Sequence, residues 1–261
     1  MLITLPGDNP LRKLAHAHNI KTLDHAPDIG GRFSVLTNVG LLPAAACGMD
    51  VRALRLGAGE VVAALDQAKT PRDVPAAVGA AIQYGFMRKG RNISVMLPYA
   101  KRLSGFSSWY RQSWAESLGK DGKGTTPIRA VGTTDQHSQL QLYLDGPKDK
   151  LFHLIMQKRA GSGQYLSPSY CADIPYLAGK TTGDVMEAQQ RATLETLVQS
   201  GCPVRVFELE TLGEKELGAL VAHFTLEIIF MSALLGVNPF DQPAVEHSKQ
   251  LTRQWLTEGR L

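Results

Sequence analysis

Leu2-Ile-Thr-Leu-Pro-Gly-Asp-Asn-Pro-Leu-Arg-Lys-Leu-Ala-His-Ala-His-Asn-Ile-Lys-Thr-Leu23 decides the fold class. Leu2–Leu5 is a short apolar run stopped by Pro6-Gly7-Asp8-Asn9, a strand followed by turn residues. Asn9 is placed to cap a helix with Pro10 at its first position, and Leu11, Leu14 and Ala15 recur at helical spacing. Ile20–Leu23 reads as a second strand, so the chain opens with a β-α-β unit. The same alternation continues outward. Pro27–Gly31 is loop, and Val35–Ala46 is apolar enough to be buried. Gly57–Ala68 and Pro75–Arg88 read as helices, Ile93–Leu97 as a buried strand closed by Pro98, and Phe106–Ser117 as an aromatic-rich helix. Gly119–Pro127 reads as loop, while Leu140–Leu144 suits either strand or helix. Leu151–Met156 is a strand, Gly179–Gln199 a helix, Val204–Leu209 a strand and Glu214–Phe230 a helix. Alternation of this kind predicts an α/β fold with a largely parallel sheet, whose ligands sit beyond the strand C-terminal ends.

The 261 residues suffice for one large or two small domains. Lys and Arg number 28 against 24 Asp and Glu, a net charge of +4 with no basic stripe, which argues against nucleic acid and suits a small anionic substrate. Cys47, Cys171 and Cys202 are widely spaced, so neither a zinc site nor a disulfide framework is expected, and a reduced, cytosolic setting fits. The start has no signal-peptide pattern. Phe224–Val237, interrupted by Glu227, is too short to span a bilayer and reads as a buried helix. No GxGxxG, P-loop lysine or GxSxG motif occurs, which argues against nucleotide-binding dehydrogenases, kinases and serine hydrolases.

Four polar constellations stand out. In Gly30-Gly31-Arg32-Phe33-Ser34 the glycines allow close backbone approach and the arginine offers a fork of donors for an anionic oxygen; a plain turn with a surface arginine is the simpler reading. Glu116, behind two tryptophans in Trp109…Trp114-Ala-Glu116-Ser-Leu-Gly-Lys120, has the placement of a desolvated general base, or of an ordinary helix-end carboxylate. Gly132-Thr-Thr-Asp-Gln-His137-Ser-Gln gathers His137 among polar neighbours after a strand, with no second metal ligand at a suitable spacing. In Asn238-Pro-Phe-Asp-Gln-Pro-Ala-Val-Glu-His-Ser-Lys249, Glu246 and Lys249 share a helix face, which by itself describes a helix start with a solvated ion pair.

Taken in order, Ile29-Gly-Gly-Arg-Phe-Ser-Val-Leu36, Glu116-Ser-Leu-Gly-Lys120, Thr134-Asp-Gln-His-Ser-Gln139 and Asn238–Lys249 resemble the glucose-6-phosphate isomerase family, its shorter bacterial and archaeal branch. The resemblance runs over essentially the whole chain. It implies a sugar-isomerase (SIS) fold, a three-layer α-β-α sandwich with a mostly parallel sheet. It further implies interconversion of glucose 6-phosphate and fructose 6-phosphate through a cis-enediol, without metal or organic cofactor, in cytoplasmic homodimers whose sites use both subunits.

By the same resemblance Glu116 shuttles the proton between C2 and C1 and Arg32 stabilises the enediol oxygen. His137 and Lys249 open the ring and handle its oxygen, and Gly31 and Gln242 line the sugar site. Ala244 stands where relatives have glycine, so a positive φ there would strain the turn. Ala130 occupies the place where the longer branch keeps its base glutamate. Relatives also carry a whole SIS domain ahead of the opening unit, one that holds the substrate phosphate. On this reading residues 1–28 close an otherwise absent first domain and residues 29–261 form the second with C-terminal helices. Two outcomes stay open: an isomerase that needs a separate N-terminal half, or a non-catalytic sugar-phosphate-binding or complementing subunit.

Overall fold

Mostly apolar runs such as Val95–Leu97 and Leu151–Met156 cannot lie on a half-solvated sheet; they need helices on both faces. The computed structural model, which describes residues 1–260, satisfies this. In chain order the elements are β1 (Leu2–Thr4), α1 (Pro10–Ala17), β2 (Thr22–Asp24), a 3-10 turn (Gly31–Leu36), α2 (Asn38–Ala46), α3 (Val51–Gln67), α4 (Pro75–Met87), β3 (Ile93–Pro98) and α5 (Ser104–Leu118). They continue with β4 (Thr126–Arg129), α6 (Thr134–Asp145), β5 (Lys150–Gln157), α7 (Thr182–Gln199), β6 (Val204–Leu209), α8 (Glu214–Leu235) and α9 (Glu246–Glu258). The larger sheet has the order β4-β3-β5-β6 and is parallel throughout.

Side-chain alternation sorts the core into two halves. Met96 and Ile155 face a cluster with Tyr110 and Trp114 of α5 and Phe224, Ile228 and Met231 of α8. Val95, Leu97, Phe152 and Leu154 face the opposite cluster, with Tyr143 of α6 and Leu197 of α7. The result is the α/β fold expected, with helices on both faces of a parallel sheet. The edge strand β4 was hidden in what reads as loop, because Pro127 looks disqualifying. Proline is tolerated on an edge, and among the described residues β4 pairs only with β3. Leu140–Leu144 is helical, within α6.

The expectation that Val35–Ala46 is buried fails: α2 has no buried residue, and Leu42 is 36% exposed. The helix lies tightly over the 3-10 turn, where a Cβ on Gly40 would collide with the Val35 carbonyl, but its outer face is open among the described residues. β1 and β2 pair in parallel as a separate two-stranded sheet, tied to α2 by Asn38 Nδ2 donating to the Asp24 carbonyl at 2.7 Å. Asn9 caps α1 as read, accepting from Arg12 N at 3.1 Å. Leu5, Leu11, Leu14 and Leu23 are all more than a third exposed, in a β-α-β unit whose two-stranded sheet is too small to be stable alone.

α8 is long and apolar enough to cross a membrane, longer than the apolar stretch read from sequence. In the structure its inner face packs instead against α3, α4 and α5, with Phe224, Glu227 and Ile228 fully buried. Its crossing with α3 is set by two glycines: a Cβ on Gly57 would collide with the Lys215 carbonyl, and one on Gly218 with the Leu54 carbonyl. Gly218→Ala is therefore expected to destabilise by about 1–3 kcal/mol through forced separation of the helices. Gly59→Ala, on the same helix as Gly57 but facing open space, is expected to stabilise by up to about 1 kcal/mol. Urea midpoints of the two variants check both signs.

A charged network lies beneath the sheet. Arg205 of β6 pairs with Glu227 of α8 through two bonds of 2.6 and 2.9 Å, and His223 Nε2 lies 3.1 Å from the same carboxylate. Only glycine at position 79 leaves room for the pair against α4. Further in, the His153 ring is met by Gln83 Nε2 at 2.8 Å, Ser94 Oγ at 3.0 Å and Arg205 Nη1 at 3.5 Å. Burial, with Arg205 adding to it, pushes His153 down to about 3. Burial would raise Glu227, but hydrogen bonds from His223 and Arg205 and the Arg205 charge outweigh it and bring the group to about 2.

Both folded-state values lie below those of the unfolded chain, about 6.5 for His and 4.3 for Glu. Unfolding therefore takes up protons in acid. The His153 contribution is present above about pH 6.5 and is lost as pH falls toward 3; the Glu227 contribution is lost between about 4.3 and 2. Stability is expected to fall by about 1.4 kcal/mol per pH unit for each proton taken up. Urea melts between pH 7 and 4 measure it, and His153→Gln is expected to flatten the upper part of the profile.

Candidate active site

Arg32 reaches the site because the 3-10 turn runs back over the end of α5. Its own carbonyl accepts from Trp109 Nε1 at 2.9 Å and Ser113 Oγ at 3.4 Å, which fixes the turn to that helix. The side chain is buried and nearly saturated. Nε donates to Ser117 Oγ at 2.8 Å, Nη1 to Gln242 Oε1 at 2.9 Å, and Nη2 to the carbonyls of Pro239 and of Asp241, the latter at 2.9 Å. Nη1 also stands 3.6 Å from Glu116 Oε2. Burial lowers the Arg32 value from its ordinary range, with Glu116 and Asp241 opposing that shift. The plain surface arginine considered from sequence is thus a buried one, joining residues 85 and 210 positions away.

Glu116 lies on the last turn of α5, where Gln112 Nε2 donates to its Oε1 at 3.0 Å. The desolvation expected behind the tryptophans is not seen: the Glu116 side chain is 33% exposed. Trp114 turns to the core, its Nε1 donating to Thr125 Oγ1 at 2.9 Å, while Glu116, two residues on, faces a cleft. That cleft is about 850 Å³ and is lined by Glu116, Lys120, Asn238, Asp241 and Gln242 among others, a volume suited to a small ligand. Lys120 Nζ donates to the Asn238 and Asp241 carbonyls and pairs with Asp241 Oδ1 at 2.6 Å. The hydrogen bond and charge of Lys120 hold the Asp241 carboxyl below its usual range. A neighbouring cleft of about 740 Å³ meets the other side of Arg32; Phe33, Leu36, Val62 and Trp109 make it mainly apolar, with Arg55 and Asp66 also in its lining.

Arg32, Glu116 and Gln242 therefore come together. A Cβ at Gly30 or Gly31 would meet nothing within 4 Å, so neither glycine serves a close approach inside the chain. His137 is exposed on the first turn of α6, not at the strand end read from sequence, and no side-chain hydrogen bond joins it to Arg32 or Glu116 among the described residues. Lys249 is exposed on α9 and pairs with Glu246 at 2.6 Å, the solvated helix-start pair that the spacing alone describes. Ala244 lies in a right-handed 3-10 turn, Pro243–Val245, so the feared strain is absent. Sequence reasoning missed Ser117 and Lys120, although both stand in the quoted Glu116–Lys120 motif, because their partners are far away in sequence.

The family model described as phosphoglucose isomerase matches residues 15–260. The chain is 42% identical over 255 residues to the glucose-6-phosphate isomerase of Rubrobacter xylanophilus, covering 97% of this chain and 59% of that protein. It is also 42% identical over 256 residues to a probable glucose-6-phosphate isomerase of Halobacterium salinarum, with 98% and 59% covered. It thus spans about three fifths of the length of these curated relatives. Among solved structures, a hypothetical protein from Thermus thermophilus superposes with a TM-score of 0.89 at 34% identity, covering 98% of this chain and 62% of that one. A glucose-6-phosphate isomerase from Chlamydia trachomatis shares the fold, with a TM-score of 0.79 at 22% identity, covering 100% and 53%.

Proposed function

The chain belongs to the phosphoglucose isomerase family, and on that premise we propose that it carries the acid–base half of an aldose–ketose isomerase acting on glucose 6-phosphate and fructose 6-phosphate. The observation that supports it is the placing of one carboxylate, Glu116, 3.6 Å from a buried guanidinium, Arg32, at the rim of a cleft. Isomerisation removes a proton from carbon next to a carbonyl, so it needs a base at the carbon and a cation where the oxygen becomes negative. In this reading Glu116 takes the C2 proton of the open-chain aldose. The C–H electrons form the C1–C2 double bond and charge moves to the carbonyl oxygen, which Arg32 stabilises. The hydroxyl proton passes from the C2 oxygen to the C1 oxygen, leaving the charge of the cis-enediolate on the C2 oxygen, and Glu116 then delivers a proton to C1 as the C2 oxygen becomes the carbonyl of the ketose. Gln242 and the open backbone at Gly31 line the sugar.

His137 and Lys249, both exposed, are proposed to join this site on assembly as a homodimer, where they open the ring and attend its oxygen. The paired but otherwise open strands β1 and β2, with their exposed leucines, support a further unit docking beside residues 1–28 and supplying the phosphate cradle to an SIS-type second domain, residues 29–261. The cytoplasm is the proposed compartment.

A coupled assay on the purified 261-residue chain tests this. Turnover of fructose 6-phosphate is expected to be very low for the chain alone, since remote phosphate binding helps drive catalysis, and to rise when the N-terminal part of a relative is added. Ready turnover by the chain alone contradicts the need for that unit. Binding without turnover in the combined protein contradicts the isomerase reading and leaves a non-catalytic sugar-phosphate-binding subunit.

A further inference from the structure

We propose that Lys120 is a positioning residue for this site, one half of a two-cation clamp that holds the Asn238–Asp241 turn, and with it Gln242, over Glu116 and Arg32; the catalytic part of the inference rests on the isomerase reading above. Among the described residues, Asn238–Asp241 makes no backbone–backbone hydrogen bond. Internally the turn has two side-chain bonds: Asn238 Nδ2 donates to Asp241 Oδ2 at 3.0 Å, and Phe240 N donates to Asn238 Oδ1 at 3.0 Å. Phe240 also packs on Phe33, ring centroids 5.5 Å apart, and the remaining polar anchors are the carbonyls and the Asp241 carboxylate, turned onto two cations.

Arg32 Nη2 takes those of Pro239 and Asp241; Lys120 Nζ takes those of Asn238 and Asp241 and the Asp241 carboxylate. The Asp241 carbonyl is shared by both cations. They come from different elements, the 3-10 turn and the end of α5, so the turn is tied to the pieces that carry Arg32 and Glu116.

Donor counting separates the two roles. An ammonium has three N–H bonds, and Lys120 has three acceptors, with its side chain only 11% exposed. It has no proton left for a ligand, so it acts through the turn. A guanidinium has five N–H bonds. Four of the Arg32 donors are taken by Ser117, Gln242, Pro239 and Asp241, and the fifth belongs to Nη1, the nitrogen that stands 3.6 Å from Glu116. Lys120 thus spares Arg32 from being the sole anchor of the turn.

The test compares Lys120→Met, which keeps the apolar stem and removes the donors, with Lys120→Arg, which keeps a cation able to reach carbonyl oxygens. Hydrogen exchange of the 238–249 region in the full chain is expected to quicken about tenfold or more in Lys120→Met, with exchange in β3 and β5 unchanged. It is expected to return to near wild type in Lys120→Arg. In the assembled enzyme kcat for fructose 6-phosphate is expected to fall about ten- to a hundredfold in Lys120→Met with KM within about threefold, since loss of preorganisation acts on the chemical step. Unchanged exchange in Lys120→Met overturns the clamp. A normal kcat in Lys120→Met, or a Lys120→Arg variant as impaired as Lys120→Met, overturns the positioning role. A wild-type assembly that does not isomerise overturns the site assignment, while the exchange result still judges the clamp.

Discussion

Glu116→Gln is expected to slow isomerisation by about 10²–10⁴-fold in the assembled enzyme while leaving fructose 6-phosphate binding within a few fold of wild type. The substitution keeps the size of the side chain and its ability to accept from Gln112 Nε2, and removes the capacity to take a proton together with the negative charge 3.6 Å from Arg32. The structure makes it a clean experiment. Glu116 is one-third exposed, and its closest cation, Arg32, keeps its hydrogen bonds to Ser117, Gln242, Pro239 and Asp241 when the carboxylate becomes an amide. Loss of turnover with intact binding, seen in parallel coupled assays and titrations, assigns the proton transfer. Unchanged turnover moves the base elsewhere.

Arg32→Ala is expected to be costly for folding as well as for chemistry. The guanidinium links Ser117, Gln242 and the carbonyls of Pro239 and Asp241, and its removal strips all of these of a donor. Removing one partner from a buried polar network typically costs about 3–5 kcal/mol. Catalysis is expected to fall by about 10²–10³-fold in addition, as for loss of one preorganised donor to a developing oxyanion. Arg32→Lys is expected to recover only part of either loss, because an ammonium on a flexible stem cannot span the same fork of acceptors. Denaturant unfolding and exchange of the 238–242 turn read the first effect, and kcat reads the second. A stability change below about 1 kcal/mol would show that the turn is held without Arg32.

What the sequence carried and what it did not divide along physical lines. The opening β-α-β unit and the central strands were legible because turn residues, the Asn9 cap and unbroken apolar runs are local signals. β4 was not, because Pro127 argues against a strand until the strand is known to lie on an edge. α2 was misjudged as buried because apolar composition records a need for cover and not what provides it.

At the site, the arginine, glutamate and glutamine were each legible through their motifs. That Arg32 would be buried, and Glu116 turned away from Trp114, depended on how the 3-10 turn and α5 meet. Lys120 was invisible as an anchor for the same reason, since its acceptors are main-chain carbonyls of a turn more than a hundred residues away.

The most direct test of the central claim is deuterium incorporation at C2 of glucose 6-phosphate formed from fructose 6-phosphate in D₂O, with the assembled protein and with its Glu116→Gln variant. A single base that moves a proton between C1 and C2 and exchanges with solvent between the two steps predicts one deuterium at C2, lost when Glu116 is replaced. Deuterium incorporation unaffected by Glu116→Gln, or normal turnover by that variant, would contradict the assignment of Glu116 as the base that works beside Arg32.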